Sequence, residues 1–120
     1  MQLLTQELRD KLPPLYASEN LPPDKVMAVC KFFTPDSNWT WYAVEFDGEN
    51  LFFGLVDGME MEPGYFCLSE LETSTGPMGL HIERDLYWRP RTLAEIAPHR
   101  FDHGTAANLD ELAKGDPIEA

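Results

Sequence analysis

The chain has 120 residues and a formal net charge of −12 at pH 7, with 43% hydrophobic and 25% charged residues. This length and composition predict one globular domain over residues 1–115, followed by a flexible tail at 116–120. The charge argues against direct nucleic-acid binding and against an anionic membrane surface, because both require clustered Lys and Arg.

The N-terminal half of the chain predicts one helix and three strands. Leu4, Leu8 and Leu12 recur at helical spacing, and two prolines end the segment. Thr5 stands where it can cap the helix N-terminus. Three β-branched and aromatic runs then predict strands at 26–34, 39–47 and 51–56. The turns between them are too short for a parallel crossover, so the strands are expected to form an antiparallel meander.

The second half predicts shorter elements. A fourth strand is expected at 65–68 and a fifth within 80–88. Two matches to the S/T-x-x-E capping box, from Ser69 to Glu72 and from Thr92 to Glu95, predict short helices. A last helix is predicted at 108–114. The predicted fold is α+β: an antiparallel β-sheet meander of about 4–5 strands, with short N-terminal and C-terminal helices packed on one side.

Negative charge is concentrated in residues 32–83, which contain ten carboxylates and no Lys or Arg. The same segment holds most of the aromatic residues. Its strand interiors are expected to form the core, so most of the remaining charge falls at turns and strand ends. The pattern predicts an acidic rim formed by Glu45, Asp47, Glu49, Asp57, Glu60 and Glu62.

Five motifs occur together in one order: LTQELRDKLPPLY at 4–16, KFFTPDSNWTWYAVEFDG at 31–48, FFGLVDG at 52–58, EPGYFCLSELE at 62–72 and GLHIERDLYW at 79–88. With them the chain resembles a family of small bacterial domains of unknown function, often carried on plasmids and integrative elements. The resemblance spans roughly residues 3–97. It implies a bacterial, cytoplasmic, mobile-element setting and assigns no activity.

A cytoplasmic location also follows from the residues themselves. The first residues carry frequent charges, and no apolar run approaches the ~18 residues of a membrane span. Cys30 and Cys67 lie inside apolar runs, which predicts two reduced core thiols. A disulfide between neighbouring strands is the alternative.

The acidic rim favours a non-enzymatic interaction protein that binds a basic protein partner, because complementary electrostatic fields speed association. In one concrete form, its carboxylates take the place of DNA phosphates on a DNA-binding protein, such as a defence factor. The chain has no P-loop, no G-x-G-x-x-G after a strand and no G-x-S-x-G. The sequence therefore predicts no cofactor and leans against an enzyme.

The alternative hypothesis is a small-ligand-binding or hydrolytic domain with a carboxylate and arginine site. Its candidate residues are Trp41, Tyr42, Glu83 and Arg84. Core packing of the aromatic pair, and an ion pair between Arg84 and a neighbouring carboxylate, are the simpler interpretations.

No metal site is predicted. The acidic cluster of Asp57, Glu60 and Glu62 lacks the ligand spacing of a calcium-binding loop. His99 and His103 have the i, i+4 spacing of helical zinc ligands, but helix-breaking residues flank them.

Overall fold

The computed structural model describes residues 1–98, and its main feature is a five-stranded antiparallel sheet. Its strands are β2 (Cys30–Phe33), β3 (Thr40–Phe46), β4 (Leu51–Asp57), β5 (Met61–Cys67) and β6 (Glu83–Arg84). Their order across the sheet is β5-β4-β3-β2-β6. The meander predicted for consecutive strands is confirmed from β2 to β5. The two-residue strand β6 returns to pair with β2 instead of following β5.

The remaining elements are short. They are α1 (Gln6–Lys11), a 3₁₀ turn (Pro23–Lys25), β1 (Met27–Ala28), α2 (Leu68–Thr73), β7 (Arg91–Thr92) and α3 (Leu93–Ile96). Strands β1 and β7 pair as a separate two-stranded antiparallel sheet. The α+β class is confirmed. The predicted helix at 108–114, the two histidines at 99 and 103 and the tail lie outside the described residues.

Both faces of the five-stranded sheet are covered, each by its own core. The larger core contains Leu3, Leu4, Leu12, Cys30, Phe32, Ala43, Phe46, Phe52, Phe66, Leu68, Leu71 and Ile82. The smaller core contains Val26, Ala28, Val44, Phe53, Leu55 and Leu93. The expectation that helices pack on one side is therefore wrong. The flanks of α1 and the body of α2 cover one face, while α3 and the β1–β7 ribbon cover the other, because β3 and β4 present apolar side chains to both faces.

A β-bulge in β3 decides which face its last residues take. The register with β4 shifts between Ala43 and Glu45, so one extra residue enters β3 at this point. An unbroken alternation would place Phe46 on the face of Tyr42 and Val44. The bulge reverses the alternation, and Phe46 packs in the same core as Ala43.

Two of three predicted helix caps are confirmed. The Thr5 hydroxyl accepts a hydrogen bond from the Leu8 amide at 3.2 Å, and Thr92 with Glu95 forms a complete capping box. The cap predicted at Ser69 is wrong. Helix α2 begins at Leu68 with Cys67 in the N-cap position, two residues earlier than predicted, and the Ser69 hydroxyl instead accepts from the Asn50 side-chain amide at 3.1 Å. Within residues 1–98, no helix is both long and apolar enough to cross a membrane.

Candidate functional site

Trp39 is a solvent-facing aromatic side chain that the fold holds in place from three sides. It precedes β3, is 39% exposed, and stacks on Trp41 with ring centroids 6.0 Å apart. The Thr34 hydroxyl accepts from the Trp39 amide at 3.0 Å and donates to its carbonyl at 3.3 Å. A Cβ at Gly58 would lie 2.3 Å from the indole ring, so the ring rests on that glycine. Trp39 is therefore both exposed and preorganised, which lowers the entropy cost of binding.

Three cavities around the start of β3 share Trp39 as a wall. The helix-side cavity, of about 520 Å³, is lined among others by Trp39, Trp41, Phe66, Glu70, Leu71 and Ile82. The strand-side cavity, of about 420 Å³, is lined among others by Trp39, Lys31, Glu83, Arg84, Asp85 and Tyr87. The turn-side cavity, of about 310 Å³, is lined among others by Trp39, Val56, Met59, Glu60 and Glu62. All three volumes fall at or above the lower end of the range typical of ligand pockets.

Each of these cavities has exposed carboxylate on its wall. Glu70 lines the helix-side cavity, Glu83 the strand-side cavity, and Glu60 with Glu62 the turn-side cavity. Within residues 1–98, none of the four forms an ion pair. The helix-side and turn-side cavities therefore combine an aromatic surface with carboxylates that have no Lys or Arg beside them among the lining residues, whereas the strand-side cavity also has Lys31 and Arg84 on its wall.

The residues predicted to form one acidic rim lie at two opposite ends of the sheet. Asp47 and Glu49 belong to the turn between β3 and β4, whereas Asp57, Glu60 and Glu62 lie at or beyond the other end of β4. Strand β4 has seven residues, which separates the two turns by roughly 20 Å. Only the second group is close to Trp39.

Glu45, also predicted in the rim, is buried and 3% exposed. Its carboxylate accepts hydrogen bonds from the Tyr16 amide at 2.8 Å, the Ser18 amide at 2.9 Å and the Ser18 hydroxyl. Its placement on an exposed rim is therefore wrong. The carboxylate ties the loop after α1 to the bulged end of β3, and no part of it is presented to a partner.

Asp47 stabilises its own turn. One carboxylate oxygen accepts from the amides of Glu49, Asn50 and Leu51 at 2.8, 2.8 and 3.0 Å. These hydrogen bonds lower the pKa of Asp47 because they favour the charged form. Glu49, beside it, is exposed.

The four residues of the ligand-site hypothesis do not converge. Trp41 packs against the larger core and Tyr42 against the smaller one, on opposite faces of β3. Glu83 and Arg84 line the strand-side cavity, whereas Trp41 lines the helix-side cavity. A single pocket built from all four is therefore not formed.

Arg84 is engaged in holding the start of the chain. Its guanidinium donates to the carbonyls of Gln2 and Leu3 at 2.5 and 2.7 Å. The predicted ion pair with a neighbouring carboxylate is wrong; the partners are backbone oxygens. Lys31 does form an ion pair, and its ammonium lies 3.7 Å from the carboxylate of Asp85, the residue after β6.

Trp88 packs against the smaller core and has two cations within cation–π distance of its ring. Lys31 and Arg91 lie 5.5 and 5.7 Å from its ring centroid, and its indole N–H donates to the Ala28 carbonyl at 3.0 Å. The Tyr42 ring lies 5.6 Å away. Burial, and secondarily the charge of Asp57, raise the pKa of Tyr42, while Arg91 opposes the shift. This cluster joins the β1–β7 ribbon to the sheet and is structural.

Asp36 fixes the loop that closes the helix-side cavity. Its carboxylate accepts from the amides of Met78 and Leu80 at 2.7 and 3.4 Å. The preceding residues of that loop, Thr75 to Pro77, line the cavity. Sequence reasoning did not identify this long-range contact of Asp36. The candidate site residues named from the sequence also did not include Trp39 or Glu70.

No metal site is present in the described part of the chain. Across residues 1–98, no group of three or more His, Cys, Asp or Glu side chains is arranged to hold an ion. Cys30 and Cys67 are free thiols, the first buried and the second half-buried. They lie on β2 and β5, three inter-strand spacings or roughly 14 Å apart, too far for a disulfide.

Comparison with known proteins identifies a family. The model of a family described as "Protein of unknown function (DUF2958)" matches residues 3–99. No curated protein and no solved structure matches the chain. The resemblance drawn from the five sequence motifs to a family of unknown function is thereby confirmed.

Proposed function

The chain belongs to the DUF2958 family of unknown function, and from its geometry we propose that it is an interaction module that binds a basic partner protein. The contact surface is the Trp39 end of the sheet, defined as Trp39, the three cavities that share it, and the carboxylates of Glu60, Glu62, Glu70 and Glu83. Of the six residues predicted for the acidic rim, this surface contains Glu60 and Glu62, which lie at one end of the sheet.

One observation carries the proposal: a rigid, exposed tryptophan is surrounded by cavities whose exposed carboxylates form no ion pair within residues 1–98. Tryptophan anchors are enriched among the residues that dominate binding energy at protein interfaces. Unpaired carboxylates around such an anchor repel acidic partners and attract basic ones. The combination favours a partner that brings both apolar and cationic side chains.

In its finer form, the proposal is that the partner is a nucleic-acid-binding protein of the bacterial cytoplasm and that the carboxylates stand where phosphates would lie. Support comes from the ten carboxylates between residues 32 and 83 without a Lys or Arg among them. A nucleic-acid-binding protein carries clustered Lys and Arg on the surface that contacts phosphates, and the carboxylates at this end of the sheet would attract the same cations. Nucleic acid is then expected to compete with this protein for the partner.

The surface can be tested with a fluorescently labelled oligo-lysine peptide, followed by anisotropy at low and at physiological ionic strength. We expect Glu60→Gln with Glu62→Gln to weaken binding about fivefold at low salt, because each exposed ion pair contributes up to ~1 kcal/mol. Trp39→Ala is expected to weaken it further through the loss of apolar and cation–π contact. Binding of the unsubstituted protein should fall as salt screens the charges.

The matched control is Glu19→Gln with Glu49→Gln, which removes the same charge from exposed positions away from the Trp39 end. If binding is specific to the Trp39 end, this control should lose little affinity for the peptide. Equal weakening by the two double variants would mean that the peptide responds only to net charge, and the proposed surface would be wrong.

A further inference from the structure

The helix-side cavity has the chemistry of an arginine side-chain pocket, and we propose that it binds an arginine of the partner. This inference rests on the proposed function and names the group that the largest of the three cavities recognises. The floor, the aromatic wall and the one carboxylate among the lining residues each fit a different part of an arginine side chain.

The floor of the cavity is apolar and buried. Phe66, Leu71 and Ile82 line it and are 6%, 4% and 6% exposed. Such a floor accepts the methylene stem of a long side chain, whose charged head then stays at the mouth. The cavity of about 520 Å³ is large enough for the whole side chain.

The aromatic wall consists of the Trp39 and Trp41 indoles, stacked with an interplanar angle of 28°. The hydrogen bonds between Thr34 and Trp39 fix the backbone of this wall, and Asp36 fixes the facing loop. A planar guanidinium stacks on an indole face more favourably than a compact ammonium, which is more strongly hydrated. The rigid aromatic wall therefore discriminates arginine from lysine.

The charge partner in the cavity is Glu70. It is exposed on α2 and forms no ion pair within the described residues. A carboxylate accepts two parallel N–H bonds from a guanidinium, and this geometry is not available to lysine. The hydroxyls of Ser37, Ser74 and Thr75 also line the cavity and supply acceptors for the remaining N–H groups.

The test uses three small probes on the full chain: N-acetyl-arginine amide, N-acetyl-lysine amide and the uncharged N-acetyl-citrulline amide. Binding is followed by the indole N–H resonances in NMR spectra. We expect the arginine probe to bind with a dissociation constant on the order of millimolar, with the Trp39 and Trp41 signals shifting most. The lysine probe should bind at least about threefold more weakly, and the citrulline probe more weakly still.

Glu70→Gln tests the charge partner, and Glu72→Gln is its matched control because it removes the same charge from an exposed position of the same helix. We expect Glu70→Gln to weaken the arginine probe about fivefold and Glu72→Gln to leave it unchanged. Trp39→Phe should retain part of the affinity, and thermal unfolding of each variant checks that the fold is intact.

Two results overturn the inference. One is an equal effect of Glu70→Gln and Glu72→Gln; the other is a lysine or citrulline probe that binds as tightly as the arginine probe. If oligo-lysine binding still depends on Glu60 and Glu62 in that case, the proposed function stands and only the arginine pocket is wrong. If oligo-lysine binding shows no such dependence while the arginine probe behaves as expected, the pocket stands without the wider surface.

Discussion

The carboxylate of Glu45 accepts hydrogen bonds from both the amide and the hydroxyl of Ser18, a residue 27 positions earlier in the chain. The same carboxylate also accepts from the Tyr16 amide, where the backbone has a positive φ of 72°. One buried side chain thus satisfies the donors of an irregular loop that has no regular secondary structure of its own. The acidic character of this position serves the fold.

Glu45→Ala is expected to lower the free energy of unfolding by about 3 kcal/mol, because two amides and a hydroxyl lose their charged acceptor. Glu45→Gln should lower the free energy of unfolding by a smaller amount, since one acceptor oxygen remains. Urea denaturation monitored by tryptophan fluorescence measures both. Glu49→Gln, an exposed change of the same kind, serves as the reference and should shift stability by no more than about 0.5 kcal/mol. A similarly small effect of Glu45→Ala would contradict the assigned role.

Asp47 is expected to contribute to acid sensitivity. Its pKa is lowered from the ordinary value of 3.8 by the amides that it accepts from, so its charged form stabilises the fold above pH 3.8. That stabilisation is lost as the pH falls below 3.8 and through the lower pKa of the folded state. In Asp47→Asn, which keeps an acceptor oxygen but does not titrate, the melting temperature should fall less steeply over this range.

Glu49→Gln provides the comparison for Asp47→Asn, because it also removes one carboxylate from the same turn. It should retain the steep acid limb of the unsubstituted protein. Identical pH profiles for the two variants would show that the hydrogen bonds of Asp47 do not set the acid response.

Cys30 is expected to be unreactive in the native protein. Burial raises the pKa of its thiol to about 12, against an ordinary value of 9.0, and so keeps it in the unreactive protonated form. In the Cys67→Ser variant, where Cys30 is the one cysteine left, a thiol reagent at neutral pH should label only after urea is added. Rapid labelling without denaturant would contradict the buried position on β2.

Gly54 permits a close backbone approach in the centre of the sheet. A Cβ there would lie 1.8 Å from the Tyr42 carbonyl oxygen, whereas a Cβ at Gly64, its partner on β5, would lie 4.0 Å from its nearest neighbour. Gly54→Ala is therefore expected to destabilise by about 3 kcal/mol and Gly64→Ala to be nearly neutral. The urea unfolding midpoints of the two variants measure this difference. Equal midpoints would contradict the steric clash at Gly54.

The local elements follow from sequence because they depend on neighbours in the chain. Leu4, Leu8 and Leu12 predict the first helix, Thr5 its cap, and the Thr92–Glu95 box the helix α3, each from residues three or four positions apart. The three central strands follow from apolar runs separated by turn residues, although the run predicted as one strand at 26–34 is divided between β1 and β2, which belong to different sheets. Family membership follows in the same way, from motifs that can be read in order along the chain.

Contacts between residues that are far apart in sequence are visible only in the tertiary structure. The bulge at β3, which turns Phe46 to the other core, depends on the register with β4. The sequence predicts Glu45 on an exposed rim, yet Glu45 and Asp36 each hold a distant loop through hydrogen bonds. Arg84 reads as a counter-ion and instead binds the carbonyls of residues 2 and 3.

The candidate site likewise combines properties set by the sequence with properties set by the tertiary structure. The sequence by itself determined that negative charge without nearby Lys or Arg accumulates between residues 32 and 83, because charge is a property of composition. Which carboxylates stay exposed is a property of packing, and the structure leaves Glu60, Glu62, Glu70 and Glu83 around Trp39 while it buries Glu45. Burial and pairing arise from contacts between strands and loops that no local pattern specifies.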